Sequence, residues 1–364
     1  MRGLQGVEER FFQLLQIAVG KTINGKIALS DKEWGDVYRL ASEQSLVGLI
    51  LHAIDTQEED VGRPSQPLLL QWIGESELIR QRNCRVNQLC GQLTSWFLSK
   101  GYDSCILKGQ GVARLYNNPE CRQSGDIDIW VNANTEDIVK QMRHDCLGVT
   151  YVDYVNCHVS FFTDTDVEVH FRPTYMFSPF NNRKVQRWVK DNKDAQFSNY
   201  DEGLCFSYPT IAFNLVFSLI HIYRHIFLEG IGLRQLTDYY FILIHSSAQE
   251  RKEAFLVLQS FKMKRFVGAL MYVMKRVFAL DEQFLLCEPN IADGEFLVSE
   301  ILRGGNFGKY DDRNVYVSDD QKIKRGLNNW KRNLRFLKYY PSEVLWMPAW
   351  KVWHWCWRKM KGYL

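Results

Sequence analysis

Gly125-Asp126-Ile127-Asp128-Ile129-Trp130-Val131 is the stretch that decides how the rest of the chain reads. Apolar and polar residues alternate in it, and a pleated strand sends neighbours to opposite faces. Ile127, Ile129 and Val131 then share one face, suited to packing under helices, while Asp126 and Asp128 share the other. Two carboxylates so close shift each other's pKa unless a cation lies between them. Hard divalent cations such as Mg²⁺ take carboxylate oxygens together with the oxygens of a bound phosphate. The plainer alternative is an exposed edge strand with two ordinary acids, because Asp-x-Asp is short and common.

Upstream, Cys105-Ile106-Leu107 reads as a short buried strand. It runs through Lys108-Gly109-Gln110-Gly111 into a helix bearing Val112, Leu115 and Tyr116. A strand-turn-helix of this kind offers free N–H groups and a positive dipole end to an anion, with Lys108 adding a point charge. A plain turn with a solvated lysine is the other reading. Asn117-Asn118-Pro119 closes that helix, and Arg122 follows. Downstream, Asn134 caps a helix carrying Ile138, Met142 and Cys146, and Val149 to Val155 alternates. Cys157 to Phe162 and Val167 to Phe171 form a hairpin about Thr163-Asp164-Thr165-Asp166. Val167, Val169 and Phe171 share one face of its last strand; Glu168, His170 and Arg172 share the other. Glu168 is either the third carboxylate of a two-metal site or half of a salt bridge with Arg172 or Lys108.

Further out the chain is helical. Residues 7–19, 30–54 (opened by the capping box Ser30-Asp31-Lys32-Glu33) and 68–100 (closed by Gly101) carry apolar residues at helical spacing. A loop from Thr56 to Pro67 separates the last two. After Pro209, helices are expected near 249–261, 263–280, 294–303, 321–338 and 342–361. His221 and His225 lie four apart, a metal-ligand spacing that no nearby acid or cysteine completes, so core or interface histidines are expected. Arg234 and Asp238 are spaced for a helix-surface ion pair. From Asp320 to the end, Lys322, Lys324, Arg325, Lys331, Arg332, Arg335, Lys338, Lys351, Arg358, Lys359 and Lys361 interleave with six tryptophans. Trp346, Trp350, Trp353 and Trp357 repeat at three and four, as on a helix buried against the protein with a basic rim. Contact with nucleic acid or an anionic membrane surface is the less favoured reading of that end.

The expected architecture is α+β: a small mixed β-sheet core with helices at 102–205, a helical region at 1–101 and a helical domain at 206–364. The 364 residues allow two or three packed units, and 46% apolar with 24% charged residues is ordinary for a globular protein. A net charge of +3 does not by itself demand an anionic partner. Nine cysteines, scattered without paired spacing, suit a reducing compartment and carry no zinc signature. Acids at Glu8 and Glu9 argue against a secretory signal. The most apolar run, Ile211 to Leu228, is broken by Asn214, His221, Arg224 and His225, short of the roughly 18 uninterrupted apolar residues of a membrane span. No transmembrane segment and a cytoplasmic location are the expectations.

Leu107-Lys108-Gly109, Leu115-Tyr116, Arg122, Gly125-Asp126-Ile127-Asp128 and Glu168-Val169-His170 together resemble the nucleotidyltransferase fold of the DNA polymerase beta superfamily. The similarity is greater to an uncharacterised bacterial branch with an LKG…R…GDID pattern. The motifs are dense over about 105–172 and thin elsewhere. His225, Arg234 and Asp238 match a histidine, an arginine and an aspartate of that branch. Most of the superfamily carries a Gly-Ser pair ahead of the aspartates, where this chain has Lys108-Gly109. The resemblance implies a metal-dependent enzyme that moves a nucleoside monophosphate, AMP first, from a nucleoside triphosphate to a hydroxyl of a small molecule, sugar or protein. Asp126, Asp128 and Glu168 would hold Mg²⁺ or Mn²⁺, and Lys108, Gly109, Arg122 and Gly125 would hold phosphate. His170, His225, Arg234 and Asp238 would support the site or the substrate. The competing reading is a catalytically inactive nucleotide-binding or regulatory protein on the same scaffold. A nucleic-acid end-modifying transferase is a third, without a recognisable RNA-binding module behind it.

Overall fold

The computed structural model describes residues 2–23, 25–56, 62–145, 147–311, 313 and 330–364. The middle of the expected 56–67 loop, Cys146, and the start of the expected 321–338 helix with Lys322, Lys324 and Arg325 lie outside them. Four helices come first: α1 (Arg2–Ala18), α2 (Asp31–Glu43), α3 (Val47–Thr56) and α4 (Gln66–Ser99). The Ser30–Glu33 capping box forms as read. The expected 30–54 helix instead breaks in two at Ser45, whose φ is +57°. There the buried Gln44 side chain accepts from the Leu233 N–H at 2.8 Å and donates to the Ile301 carbonyl at 3.2 Å. A long-range tether thus overrides helical periodicity.

The chain then builds β1 (Ser104–Leu107), the six-residue α5 (Lys108–Ala113), β2 (Ile127–Val131), α6 (Thr135–His144), β3 (Gly148–Val152), β4 (Asn156–Ser160) and β5 (Val167–His170). These strands form one mixed sheet in the order β1-β2-β5-β4-β3. Only β2 and β5 run parallel, and their register sets Asp128 beside Glu168 and Trp130 beside His170. The fold is therefore α+β with a small mixed sheet, as read. Beyond it lie α7 (Pro179–Asn192), α8 (Asp194–Ser198), a two-stranded ribbon β6 (Tyr200–Asp201) and β7 (Phe206–Ser207), then α9 (Ile211–Leu228) and α10 (Leu233–Ile244). Next come α11 (Ala248–Ser260), α12 (Lys264–Phe278), α13 (Ile291–Gly304) and a C-terminal helix, Pro341–Met360.

Two apolar clusters hold these elements. One gathers Ile127, Ile129, Val131, Val167 and Val169 under α6 and the second half of α4. The other joins α1–α3 to α9, α10 and α12, and takes in Trp130 from the opposite face of β2. Trp130 stacks on Phe213 of α9 with ring centroids 5.8 Å apart. The sheet is thus covered on both faces, and Asp128 is buried where an edge strand would leave it wet. Helix α9 is the one described helix long and apolar enough to cross a membrane, and most of it is buried in the core.

Candidate active site

The turn between β1 and α5 brings Lys108 to the acids. Lys108 and Gly109 both have positive φ, +46° and +22°, so the backbone reverses instead of entering a regular helix. At six residues α5 is too short to supply the dipole end expected of it. The turn is held from below: buried Gln110 donates to Asn83 Oδ1 at 2.7 Å and Asn87 Oδ1 at 2.6 Å. Asn83 in turn donates to the Arg122 carbonyl at 2.6 Å. Helix α4 thus positions the Lys108 turn and Arg122. A polar Asn83 inside an apolar stripe was its visible sign.

Lys108 Nζ lies 2.6 Å from Asp128 Oδ1, and His170 Nε2 lies 2.8 Å from the same oxygen. His170 Nε2 also reaches Glu168 Oε2 at 3.4 Å. Oxygens of Asp128 and Glu168 and a nitrogen of His170 all lie within 4.8 Å of one another. His170 Nδ1 faces the Arg172 carbonyl at 3.3 Å. Both ring nitrogens therefore face acceptors, which an imidazolium satisfies and a neutral ring does not. Burial alone would depress its pKa, but the hydrogen bonds to Asp128 and Glu168 raise it. Burial likewise opposes ionisation of Asp128, yet Lys108 and His170 hold its carboxyl far below the usual range. Glu168 is lowered too: burial and the Asp128 charge oppose its ionisation, but His170 and Lys108 together outweigh them. In this arrangement a protonated His170 stands as a counter-cation between the two carboxylates.

Glu168 also accepts from Asn156 Nδ2 and sits 3.6 Å from His158 Nε2. Asn156 and His158 pair with His170 and Glu168 across β4 and β5, so the hairpin alternation already carried them, unread. The salt bridge weighed for Glu168 with Arg172 is absent among the described contacts. Arg172 donates to the Tyr154 carbonyl at 2.8 Å and lies over the Tyr154 ring.

Asp126 precedes β2 and is outside the tight cluster, but lines the same cavity of about 330 Å³. Water reaches it at the cavity mouth, while crowding by protein and the Asp128 charge push its pKa up to about 6 against the pull of Lys108. Across the cavity, α9 and α10 present His221, Arg224, His225 and Arg234. Arg224 Nε and Nη1, Arg234 Nε and His221 Nδ1 are buried with no hydrogen-bond partner among the described residues. Burial and neighbouring cations, Lys108 foremost, keep His221 neutral, its pKa well below the ordinary value. His221 and His225, expected as core or interface histidines, line the cavity wall with their rings 4.2 Å apart.

Two expectations are corrected. Arg234 and Asp238 do not form a helix-surface pair, since both line the cavity and Asp238 is taken by Arg122. Arg122, expected on phosphate, is buried with Nε 2.7 Å from Asp238 Oδ1 and Nη2 2.8 Å from Oδ2. Tyr116 donates to the same carboxylate at 2.7 Å. Arg234 donates instead to the Gln123 carbonyl at 3.1 Å, and its Nη1 lies 3.6 Å from where a Cβ on Gly125 would stand. Gly125 thus stands beside the guanidinium, at a distance where a Cβ would make ordinary van der Waals contact.

A family model described as uncharacterised nucleotidyltransferase matches residues 30–279, more than half of the chain. Among solved structures, the chain is similar to an antigenic nucleotidyltransferase-like protein from Paracoccidioides brasiliensis. The identity is 12% and the TM-score 0.36, over 57% of this chain and 96% of that one. No curated protein matches.

Proposed function

We propose that this chain, which belongs to the uncharacterised nucleotidyltransferase family, moves a nucleoside monophosphate, AMP first, from a nucleoside triphosphate to an acceptor hydroxyl. One observation carries the reading: across one cavity, an acidic floor of Asp126, Asp128 and Glu168 faces a wall of buried guanidinium and imidazole nitrogens with no hydrogen-bond partner among the described residues. Such nitrogens are costly to bury unless a ligand takes their hydrogen bonds. A polyanion held by cations on its charge-bearing end meets that need.

The donor set fits a hard divalent ion, Mg²⁺ or Mn²⁺: oxygens of Asp128 and Glu168 converge, Asp126 lines the same cavity, and an ammonium already stands 2.6 Å from Asp128 in the place of positive charge. Asp126, Asp128 and Glu168 would hold it. Bound there, the ion would polarise phosphate and lower the cost of the pyrophosphate leaving group. Lys108 would then turn from Asp128 to phosphate, which its flexible four-carbon stem allows. Arg224 and Arg234 would hold the remaining phosphate oxygens, the part first expected of Arg122. Glu168, kept ionised by His170, would accept the proton of the acceptor hydroxyl. Asn156 and His158 would fix its orientation.

A second reading, an inactive nucleotide-binding or regulatory protein, is favoured by the Lys108 and His170 contacts, which neutralise Asp128 without any ion. One experiment separates the two. The protein is incubated with each labelled triphosphate and Mg²⁺ or Mn²⁺, alone and with cell extract, and label and pyrophosphate are followed. Transfer of label with pyrophosphate release, abolished by Asp128→Ala, is expected. Triphosphate bound but never cleaved in any extract would assign the inactive reading.

A further inference from the structure

The tryptophan-rich end buries itself only in part: Trp350 and Trp357 are half-buried against the protein, while Trp346 and Trp353 are exposed. On the C-terminal helix, Glu343, Met347, Trp350 and His354 follow one stripe, turned to the protein. Trp350 stacks on Tyr175 with centroids 4.5 Å apart, and His354 Nε2 accepts from the Tyr154 N–H at 3.3 Å. The opposite stripe, Leu345, Ala349, Val352, Cys356 and Met360, is exposed along its whole length. Leu345 and Val352 are each 64% exposed and Met360 77%. Trp346 and Trp353 edge this stripe on one side, Trp355 and Lys359 on the other, with Lys359 Nζ 5.4 Å from the Trp355 ring centroid. Phe180, 70% exposed at the start of α7, extends the patch, its ring 5.9 Å from Trp346. Exposed Arg183, Lys184 and Arg187 follow it on α7.

We propose that this outward face is an interfacial membrane helix that lies on an anionic lipid bilayer. Continuous aliphatic surface edged by tryptophan and lysine suits the boundary between headgroups and acyl chains, where indole rings and lysine stems each have one dry and one wet end. Charge agrees with that surface. From Trp330 to Leu364 the chain has eight Lys and Arg and a single acid, Glu343, which is buried facing the protein; of the eight, Arg332 and Arg335 are turned inward, onto the Phe227 carbonyl and onto Glu300. Lys361 is paired with Glu136 of α6 at 2.7 Å; exposed Lys359 flanks the stripe, and exposed Lys351 stands farther round the helix toward the protein. The helix lies on the surface instead of spanning, because Lys351, Arg358 and Lys359 interrupt it and its other stripe is docked on Tyr154 and Tyr175. Nucleic acid is the poorer fit: the centre of the face offers aliphatic carbon where phosphates need donors.

The test is co-sedimentation of the full-length protein with phosphatidylcholine vesicles, with and without phosphatidylglycerol, read together with tryptophan emission. Anionic vesicles should retain the protein roughly tenfold better than neutral ones, with a blue shift in emission, and the difference should shrink in high salt. Val352→Glu and Met360→Glu alter only exposed positions, so the thermal midpoint should hold while vesicle binding is lost. Lys351→Glu with Lys359→Glu should remove the preference for anionic lipid. Failure to bind either vesicle overturns the proposal. So does retention on single-stranded RNA without retention on lipid. So does a gel-filtration mass that halves in Val352→Glu without lipid binding, which would assign the face to a second copy.

Discussion

A carboxylate buried beside a guanidinium is dear to break and cheap to replace, which separates structural arginines of the site from ligand-binding ones. Arg122→Met would leave Asp238 charged and unpaired inside the protein, and should lower stability by about 3–5 kcal/mol. Asp238→Asn in the same chain should recover part of that loss, measured as denaturant midpoints in a double-mutant cycle. Arg234→Met should behave oppositely. Its Nε has no partner among the described residues, so the unfolding midpoint should hold or rise while triphosphate affinity falls at least about tenfold by titration calorimetry. If Arg234→Met unfolds the chain and leaves affinity untouched, the cationic wall is structural.

At the scale of the element, two contacts fix the pieces that carry the site. A Cβ on Gly111 would stand 2.4 Å from the Ile106 carbonyl oxygen, a backbone atom with nowhere to go. Gly111→Ala should therefore push α5 off β1, costing about 1–3 kcal/mol by thermal unfolding and loosening the Lys108 turn. The C-terminal helix is fixed by Glu343, whose Oε2 accepts from the Phe177 N–H at 2.7 Å. Burial pushes this carboxyl from 4.5 up to about 7, the hydrogen bonds from Phe177, Ser178 and Asn181 opposing it. The folded state thus holds the proton more tightly than the unfolded one. The stability this contributes, roughly 3 kcal/mol, is complete below about pH 4.5 and lost as pH rises through about 7. Glu343→Gln should flatten that part of the pH profile and raise the melting midpoint above pH 7; an unchanged profile would refute it.

On the scale of the whole molecule, the sheet shares its core with α4, because its apolar face rests on Val86, Leu89, Leu93 and Phe97. Trp72 and Ile79 of the same helix belong to the other cluster, which joins the first helices to the last. Residues 102–205 expressed alone should lack a cooperative thermal transition. A sharp melt with native-like near-ultraviolet dichroism would show that the piece closes its own core.

Alternation along 125–131 and 167–172 was enough to set the acids and the apolar residues on opposite faces, because side-chain direction in a strand is a local property of the backbone. The β4–β5 hairpin, the Ser30 cap and the Gly101 helix end were legible for the same reason. The burial of Asp128, the capture of Arg122 by Asp238, 116 residues on, and the turn of His221 and Arg224 toward the acids were not. Each depends on α9 and α10 closing over the polar face of the sheet, and no local pattern records which distant helix covers a strand. The outward face of the C-terminal helix belongs with these: its period of three and four announces an apolar stripe, but only packing decides whether protein covers it.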